Sequence, residues 1–245
     1  MEHAVYAEMY RQEKVLWWYR GMNRIGRMLL SRYVPRKGIR ILDAGCGTGG
    51  NFDTLREFGK VTGIDTSEEA LRFAKERGRA ELVQGSIKAM PFAGRTFDLV
   101  NCTDVLYHRE VGNDGAALRE FSRVLTEDGL LYLREPAYNW LRGKHDTLVW
   151  TKWRYTRPEL HAKVEAAGFD VLFCSYANCL LFPLAVLVRT AERLWPGRST
   201  DPDTLNPPRF LNTVFAWIFG IESVLLRRIR FPFGLSIALV AKKRK

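Results

Sequence analysis

A short apolar strand that ends in an acid and runs directly into glycines constrains this chain more than any other feature. The stretch "ILDAGCGTGGN", Ile41–Asn51, carries four glycines within six residues. Glycine has no Cβ, so such a turn lets the backbone approach a ligand closely. The flanking sequence sets its context. "IRILDAG", "KVTGID", "AELVQGS", "FDLVNCTD" and "LLYLREPA" read as five strands. Helical stretches separate them at Asn51–Phe58, from Ser67 through Arg77, and through "AALREFSRVL". This alternation predicts an α/β fold whose largely parallel sheet is covered on both faces. In open sheets of this kind, ligands sit beyond the carboxyl ends of the strands, where strand order reverses. The glycine turn belongs on that edge.

Local signals extend the pattern. Ser67 suits a helix N-cap, with Glu68 and Glu69 in the first turn. Thr156 and Glu159 have capping-box spacing and predict a helix ending near Gly168. "FDVLFCSYAN" follows as a sixth strand and "GLSIALVAKK" as a last one, while the first thirty residues read as helical. Between the last two strands lie two apolar helical segments and the proline-rich "PGRSTDPDTLNPPRF". That is too long for a hairpin loop and predicts a structural elaboration.

The glycines alone leave the ligand open. Gly45, Gly47 and Gly50 match the spacing of a dinucleotide-binding turn, and Asp65 ends the next strand where a ribose-binding acid would stand. A Walker loop is excluded, because no lysine follows the glycines. Asp43 discriminates. Beside a pyrophosphate its carboxylate would be repulsive by about 1 kcal/mol in a partly screened site, and beside a cation it would be attractive.

These motifs, taken in order with "VTGIDTS", "ELVQGSIKAMPFAGRTFDLV" and "LREFSRVLTEDGLLYL", resemble the class I S-adenosylmethionine-dependent methyltransferases. The resemblance spans about Ile39–Val171 and includes the final strand. It implies a Rossmann-like, doubly wound, seven-stranded sheet whose last strand is antiparallel, with a helical insertion before it. The implied cofactor, S-adenosylmethionine, carries a sulfonium and an ammonium. The resemblance places it against Asp43, Ala44, Gly45, Cys46, Gly47 and Asn51 at the turn, and against Asp65 and Thr66 at the ribose. Gly85, Ser86 and Ile87 fall at the adenine, where Ser86 replaces the aspartate common in the family. Asn101, Cys102 and Thr103 fall near the methionine moiety. Cys46 and Cys102 read as packing residues, since nothing beside them in sequence lowers a thiol pKa. The implied organisation is one domain: a helical cover (1–38), a cofactor-binding core (39–178), a helical insertion or lid (179–233) and a final strand (234–245).

The acceptor is less legible. Methyl transfer is an in-line displacement that alignment can drive, so a base is optional. His108, His145 and Tyr138 are the catalytic candidates, with Asp146 beside them. His108 reads more readily as a wall of the site than as its base. Trp18, Arg20, Tyr107 and Tyr155 are the acceptor-side candidates. "NCTDVLYH" stands where amino-group methyltransferases carry "NPPY", which favours oxygen as the acceptor atom. The apolar insertion favours a small or lipid-like acceptor. It also suits a core helix pair, a homodimer seam or peripheral contact with an anionic membrane. The net charge of +11 raises RNA methylation as an alternative, but the basic residues are dispersed. A cofactor-binding protein without turnover is the other alternative. Four cysteines without CxxC or zinc spacing, and charges where a signal peptide needs an apolar core, predict a cytoplasmic protein without a metal site. Peripheral attachment to the membrane is compatible with that.

Overall fold

The computed structural model describes residues 3–78, 80–194 and 207–244. The elements run α1 (His3–Gln12), α2 (Trp17–Tyr33), β1 (Ile39–Ala44), α3 (Phe52–Leu55), β2 (Gly59–Asp65) and α4 (Glu68–Arg77). There follow β3 (Glu81–Gln84), β4 (Phe97–Thr103), α5 (Asp114–Val124), β5 (Leu125–Pro136), α6 (Lys144–Leu148) and α7 (Arg157–Ala166). The chain closes with β6 (Phe169–Ala177), α8 (Phe182–Leu194), α9 (Arg209–Leu225) and β7 (Ser236–Lys243).

The seven strands form one sheet in the order β3-β2-β1-β4-β5-β7-β6. β1 through β5 pair in parallel, and β7 runs antiparallel to both of its neighbours. This is the doubly wound sheet, with its last strand reversed, that the sequence implies. Strand order turns back between β1 and β4, which places a ligand crevice beyond Ala44 and Thr103. β1, β4 and β7, and β5 from Gly129 to Glu135, are buried on most residues, as strands covered on both faces must be.

The helix starts follow their caps. The Ser67 hydroxyl accepts from Ala70 N at 3.2 Å, and Asn113 Oδ1 accepts from Ala116 N at 3.0 Å. Thr156 and Glu159 complete the capping box that opens α7. α2 presents Met22, Ile25 and Leu29 to the core at helical spacing. Its other face meets α9. A Cβ on Gly21 would fall 2.3 Å from the Phe219 ring, so only glycine admits this close crossing. The Trp17 ring lies 5.2 Å from Phe215 and 5.6 Å from Phe219. Asn212 fastens the crossing, accepting from Trp17 N at 2.7 Å and donating to Val15 O at 2.9 Å.

Four local expectations change. The N-terminal helical stretch breaks after Gln12, because Leu16 turns inward to bury ahead of α2. The helix expected over Asn51–Phe58 is a single α-helical turn followed by further turns. The fifth strand starts earlier than "LLYLREPA", at Leu125. Leu125 already pairs with Phe97, and the added residues form an irregularity before Leu130 meets Leu99. α6 and a short 3-10 turn at Asn139–Leu141 carry no strong periodicity and are additions.

Candidate active site

The glycine turn joins two acid-tipped strands. Asp43 lies opposite Asn101 in the β1–β4 register, and Asn101 Nδ2 donates to Asp43 Oδ1 at 2.6 Å. The second carboxylate oxygen, Oδ2, is buried without a partner. Burial pushes the Asp43 pKa up to about 7, against the lowering effect of Asn101. A buried oxygen this poorly satisfied calls for a donor or a cation from outside the protein.

Asp65 is held differently. Its Oδ2 accepts from Gly47 N and its Oδ1 from Ser67 N, both at 2.9 Å, leaving the remaining lone pairs for further donors. Burial nevertheless raises its pKa. The turn between the acids is anchored by Gly45 N and Cys46 N, which donate to Ile64 O at 2.8 and 3.0 Å. Gly45 has φ +76° and a Cβ there would lie 2.5 Å from Val105 Cγ2; Gly47 has φ +52°. Asn51 Nδ2 donates to Thr103 Oγ1 at 3.0 Å across the crevice. Thus Asp43, the glycines, Asn51, Asp65, Asn101 and Thr103 converge as the sequence predicts.

Gly85 N donates to Asp65 O at 2.9 Å, which sets the adenine-side loop beside the second acid. Ser86 spends its hydroxyl on Lys88 N at 3.2 Å, and Ile87 is buried below. Thr66 is exposed and Ala44 fully buried. Cys46 and Cys102 are buried free thiols, and desolvation raises both pKa values further, so they are packing groups here.

Part of the site escaped the sequence reading. α1 covers the turn: a Cβ on Gly47 would lie 3.6 Å from Met9 Cε, and Tyr6 sits beside Ser67 and Asp65. Just beyond α1, Glu13 Oε2 accepts from Thr48 Oγ1 at 2.6 Å and pairs with Arg77 at 2.5 Å. Arg77 also donates to Thr48 O at 2.6 Å and lies 4.3 Å from the Tyr10 ring centroid. No local pattern marks Glu13 and Arg77 as partners; only the fold brings them together.

Residues 42–133 match a family model described as a methyltransferase domain. The malonyl-[acyl-carrier protein] O-methyltransferase of Erwinia pyrifoliae is 39% identical over 106 residues, covering 42% of this chain and 40% of that protein. The ubiquinone biosynthesis O-methyltransferase of Azorhizobium caulinodans is 31% identical over 160 residues, 56% of this chain and 61% of that one. The chain thus matches less than two thirds of either relative's length. A chain from the solved complex between the Haloferax volcanii Trm112 methyltransferase activator and a methyltransferase superposes with a TM-score of 0.65 at 18% identity, over 99% of this chain and 95% of that one. Residues 42–133 are thus similar to a methyltransferase domain, and they lie within a sheet of the order β3-β2-β1-β4-β5-β7-β6. The resemblance implies S-adenosylmethionine as the cofactor. The crevice fits that molecule on three counts: an unsatisfied buried acid for a cation, a turn in which Gly45 and Gly47 carry no Cβ, and a second acid with lone pairs to spare.

On the far side of the crevice, Arg134 pairs with Asp104 at 2.5 Å and lies 5.1 Å from the Trp18 ring centroid. Trp18 packs edge-on against Tyr19 at 4.9 Å. Glu135 is buried and accepts from Val105, Leu106 and Tyr107 N at 3.3, 3.0 and 3.1 Å, which fixes the loop carrying Tyr107 and His108. Glu222 does the same at the end of β6, accepting from Asn178, Cys179 and Leu180 N at 2.5, 2.8 and 3.1 Å. Arg134, Glu135 and Glu222 have no sequence motif; an acid or base inside an otherwise apolar run is the faint signal they leave.

The catalytic candidates separate. His108 Nδ1 accepts from Glu110 N at 3.3 Å, and burial lowers its pKa, so the ring is neutral with its proton on Nε2. Its ring lies 5.9 Å from Trp150. Tyr138, at φ +59°, stacks on Tyr176 at 5.1 Å, and burial raises its pKa. His145 falls on α6, but its side chain lies outside the described residues. Asp146 is committed to Arg154 at 2.8 Å. Tyr155 is 2% exposed, and its hydroxyl donates to Asp114 at 3.0 Å and accepts from Trp153 Nε1. That makes Tyr155 an internal strut, in contrast to the acceptor role expected of it. Arg20 is exposed to solvent. A recess of about 600 Å³ lined by Val34, Arg36, Asp98 and Glu127 lies at the opposite, amino-terminal edge of β1, away from this chemistry.

Proposed function

We propose that this protein transfers a methyl group from S-adenosylmethionine to a small or lipid-like acceptor, at oxygen. The unpartnered Oδ2 of Asp43 carries the reading: a buried acid held near half-ionisation suits a cationic nucleoside and opposes a pyrophosphate. When bound, the cofactor supplies an electrophilic methyl on a sulfonium. Asp43 then balances the positive methionine end, Asp65 accepts from the ribose hydroxyls, and Gly45 and Gly47 admit the chain of the cofactor. Asn101 orients Asp43. Asn51 and Thr103 close the floor.

Trp18, Tyr107 and Tyr138 supply aromatic walls for the acceptor. His108 lines the site as an Nε2–H donor, because its neutral ring already uses Nδ1 as an acceptor. Tyr138 remains a phenol at neutral pH and can orient an oxygen without removing its proton. Catalysis then rests on alignment and exclusion of water, which suits an acceptor that ionises by itself. Oxygen is supported by the two O-methyltransferases to which the chain is similar. A lipid-like acceptor is supported by the apolar helices α8 and α9 that enter from the crevice edge of β6. Asp65→Ala should abolish measurable cofactor binding by calorimetry in a protein that still folds. Unchanged affinity would remove Asp65 from the ribose. Radiolabel transfer from the cofactor into pooled phenols, carboxylic acids and lipids identifies the acceptor class; labelling of RNA alone would refute it.

A further inference from the structure

α9 has one face too well fastened to move and another that nothing among the described residues covers. On the inner face, Asn212 clasps Val15 and Trp17, Phe219 wedges against Gly21, and Glu222 collects three backbone N–H groups. On the outer face, positions 210, 214, 217, 221, 224 and 228 fall within about 40° of one line at 100° per residue. Five of them are Phe, Val, Trp, Ile and Val, and the sixth is Arg228. Phe210 is 75% exposed, Trp217 67% and Val224 59%. An apolar strip of this length on a well-anchored helix marks an interaction surface.

Charge decides what the strip meets. Exposed Arg209 precedes it, and exposed Arg227 and Arg228 follow it. From Arg209 to Arg230 there is a single acid, Glu222, which is buried on the inner side. Pairing this strip with a second copy of the chain sets cation against cation in either orientation. An antiparallel pair places Arg209 opposite Arg227 and Arg228; a parallel pair places each against its own equivalent. No carboxylate on the strip relieves that repulsion. An anionic lipid surface satisfies every element at once, with headgroup phosphates for the arginines and the acyl boundary for Phe210, Trp217 and Val224. No helix among the described residues is long and apolar enough to cross a membrane, so the contact is peripheral.

We propose that the outer face of α9 docks the protein on an anionic lipid surface, through the Phe210–Trp217–Val224 strip and the arginines at its two ends. This goes beyond the transfer reaction and does not depend on it. The test is sedimentation of the full chain with vesicles of phosphatidylcholine, alone or with phosphatidylglycerol. The protein should pellet with the anionic vesicles. Trp217→Glu should lower that partition about tenfold or more. Arg227→Gln with Arg228→Gln should erase the preference for anionic over zwitterionic vesicles. All these side chains are exposed, so melting temperature and S-adenosylhomocysteine affinity should stay at wild-type values. Pelleting unaffected by Trp217→Glu, or no pelleting with either vesicle, overturns the proposal. So does a concentration-dependent dimer that Trp217→Glu dissociates in the absence of vesicle binding. Loss of S-adenosylhomocysteine binding in the wild-type protein would count against the methyltransferase reading and leave this surface standing.

Discussion

Replacing Asp43 with Asn should make the protein more stable and a poorer binder of its cofactor, with a pH dependence that identifies the carboxylate as the cause. In the free protein burial lifts the Asp43 pKa to about 7 from 3.8. The native state therefore holds a proton that the unfolded chain has lost between those values, so stability contributed by this group falls as pH rises through that window. Above pH 7 the deficit levels off near 1.36 × (7 − 3.8), or about 4 kcal/mol. The amide keeps an oxygen to accept from Asn101 and carries no charge to desolvate. At pH 8, without ligand, Asp43→Asn should gain up to that amount, each kcal/mol raising the melting temperature by about 2–4 °C for a chain this size. At pH 3.5 the gain should vanish. Cofactor affinity runs the other way. From pH 8 to pH 6 the ionised fraction of Asp43 falls about tenfold, and S-adenosylmethionine affinity should fall with it. The variant retains any titration of the ligand itself, so the difference between the two calorimetric profiles belongs to Asp43. Parallel profiles, or a variant less stable than wild type at pH 8 without ligand, would refute the argument.

Gly45→Ala should lose cofactor affinity and about 1–3 kcal/mol of stability, since it adds positive-φ strain to a collision with Val105. Gly38→Ala, at φ +76° with open space around it, is the control and should show strain alone in a denaturant titration. Glu222→Ala strands the buried N–H groups of Asn178 and Cys179 and the half-buried one of Leu180, and should cost about 3 kcal/mol, read from the urea midpoint. Tyr155→Phe should lower stability through Asp114 while leaving the Michaelis constant for the acceptor unchanged; a raised constant would return Tyr155 to the pocket wall.

The parts of the fold written in local chemistry were legible in advance. Ser67, Thr156 and Glu159 announce their helices by capping, and the apolar runs ending in Asp43, Asp65 and Asn101 announce buried parallel strands. The crevice edge was legible for the same reason, because Asp43, Asp65, Asn101 and Thr103 lie at or near strand ends. What stayed hidden depends on distance along the chain. Glu13 and Arg77 stand 64 residues apart, and Arg134 meets Asp104 across 30. A pattern of single residues cannot show that two charges will be desolvated together. Tyr155 misled because its place after β5 puts its backbone near the ligand edge, while its side chain turns inward to Asp114. His108 lies on the loop beyond the carboxyl end of β4, and its tautomer depends on a turn back to Glu110 that no motif encodes.

The pair formed by Glu13 and Arg77 has a kinetic corollary. Both side chains are almost shut off from water, at 9% and 6% exposed, and they fasten the segment after α1 to Thr48 of the glycine turn. Letting a spent nucleoside escape would mean tearing two charges apart before water can rehydrate either. On the proposed reading, a neutral substitution at residue 77, well away from the acceptor, should speed release of S-adenosylhomocysteine in a stopped-flow displacement, and an unchanged rate would refute this corollary.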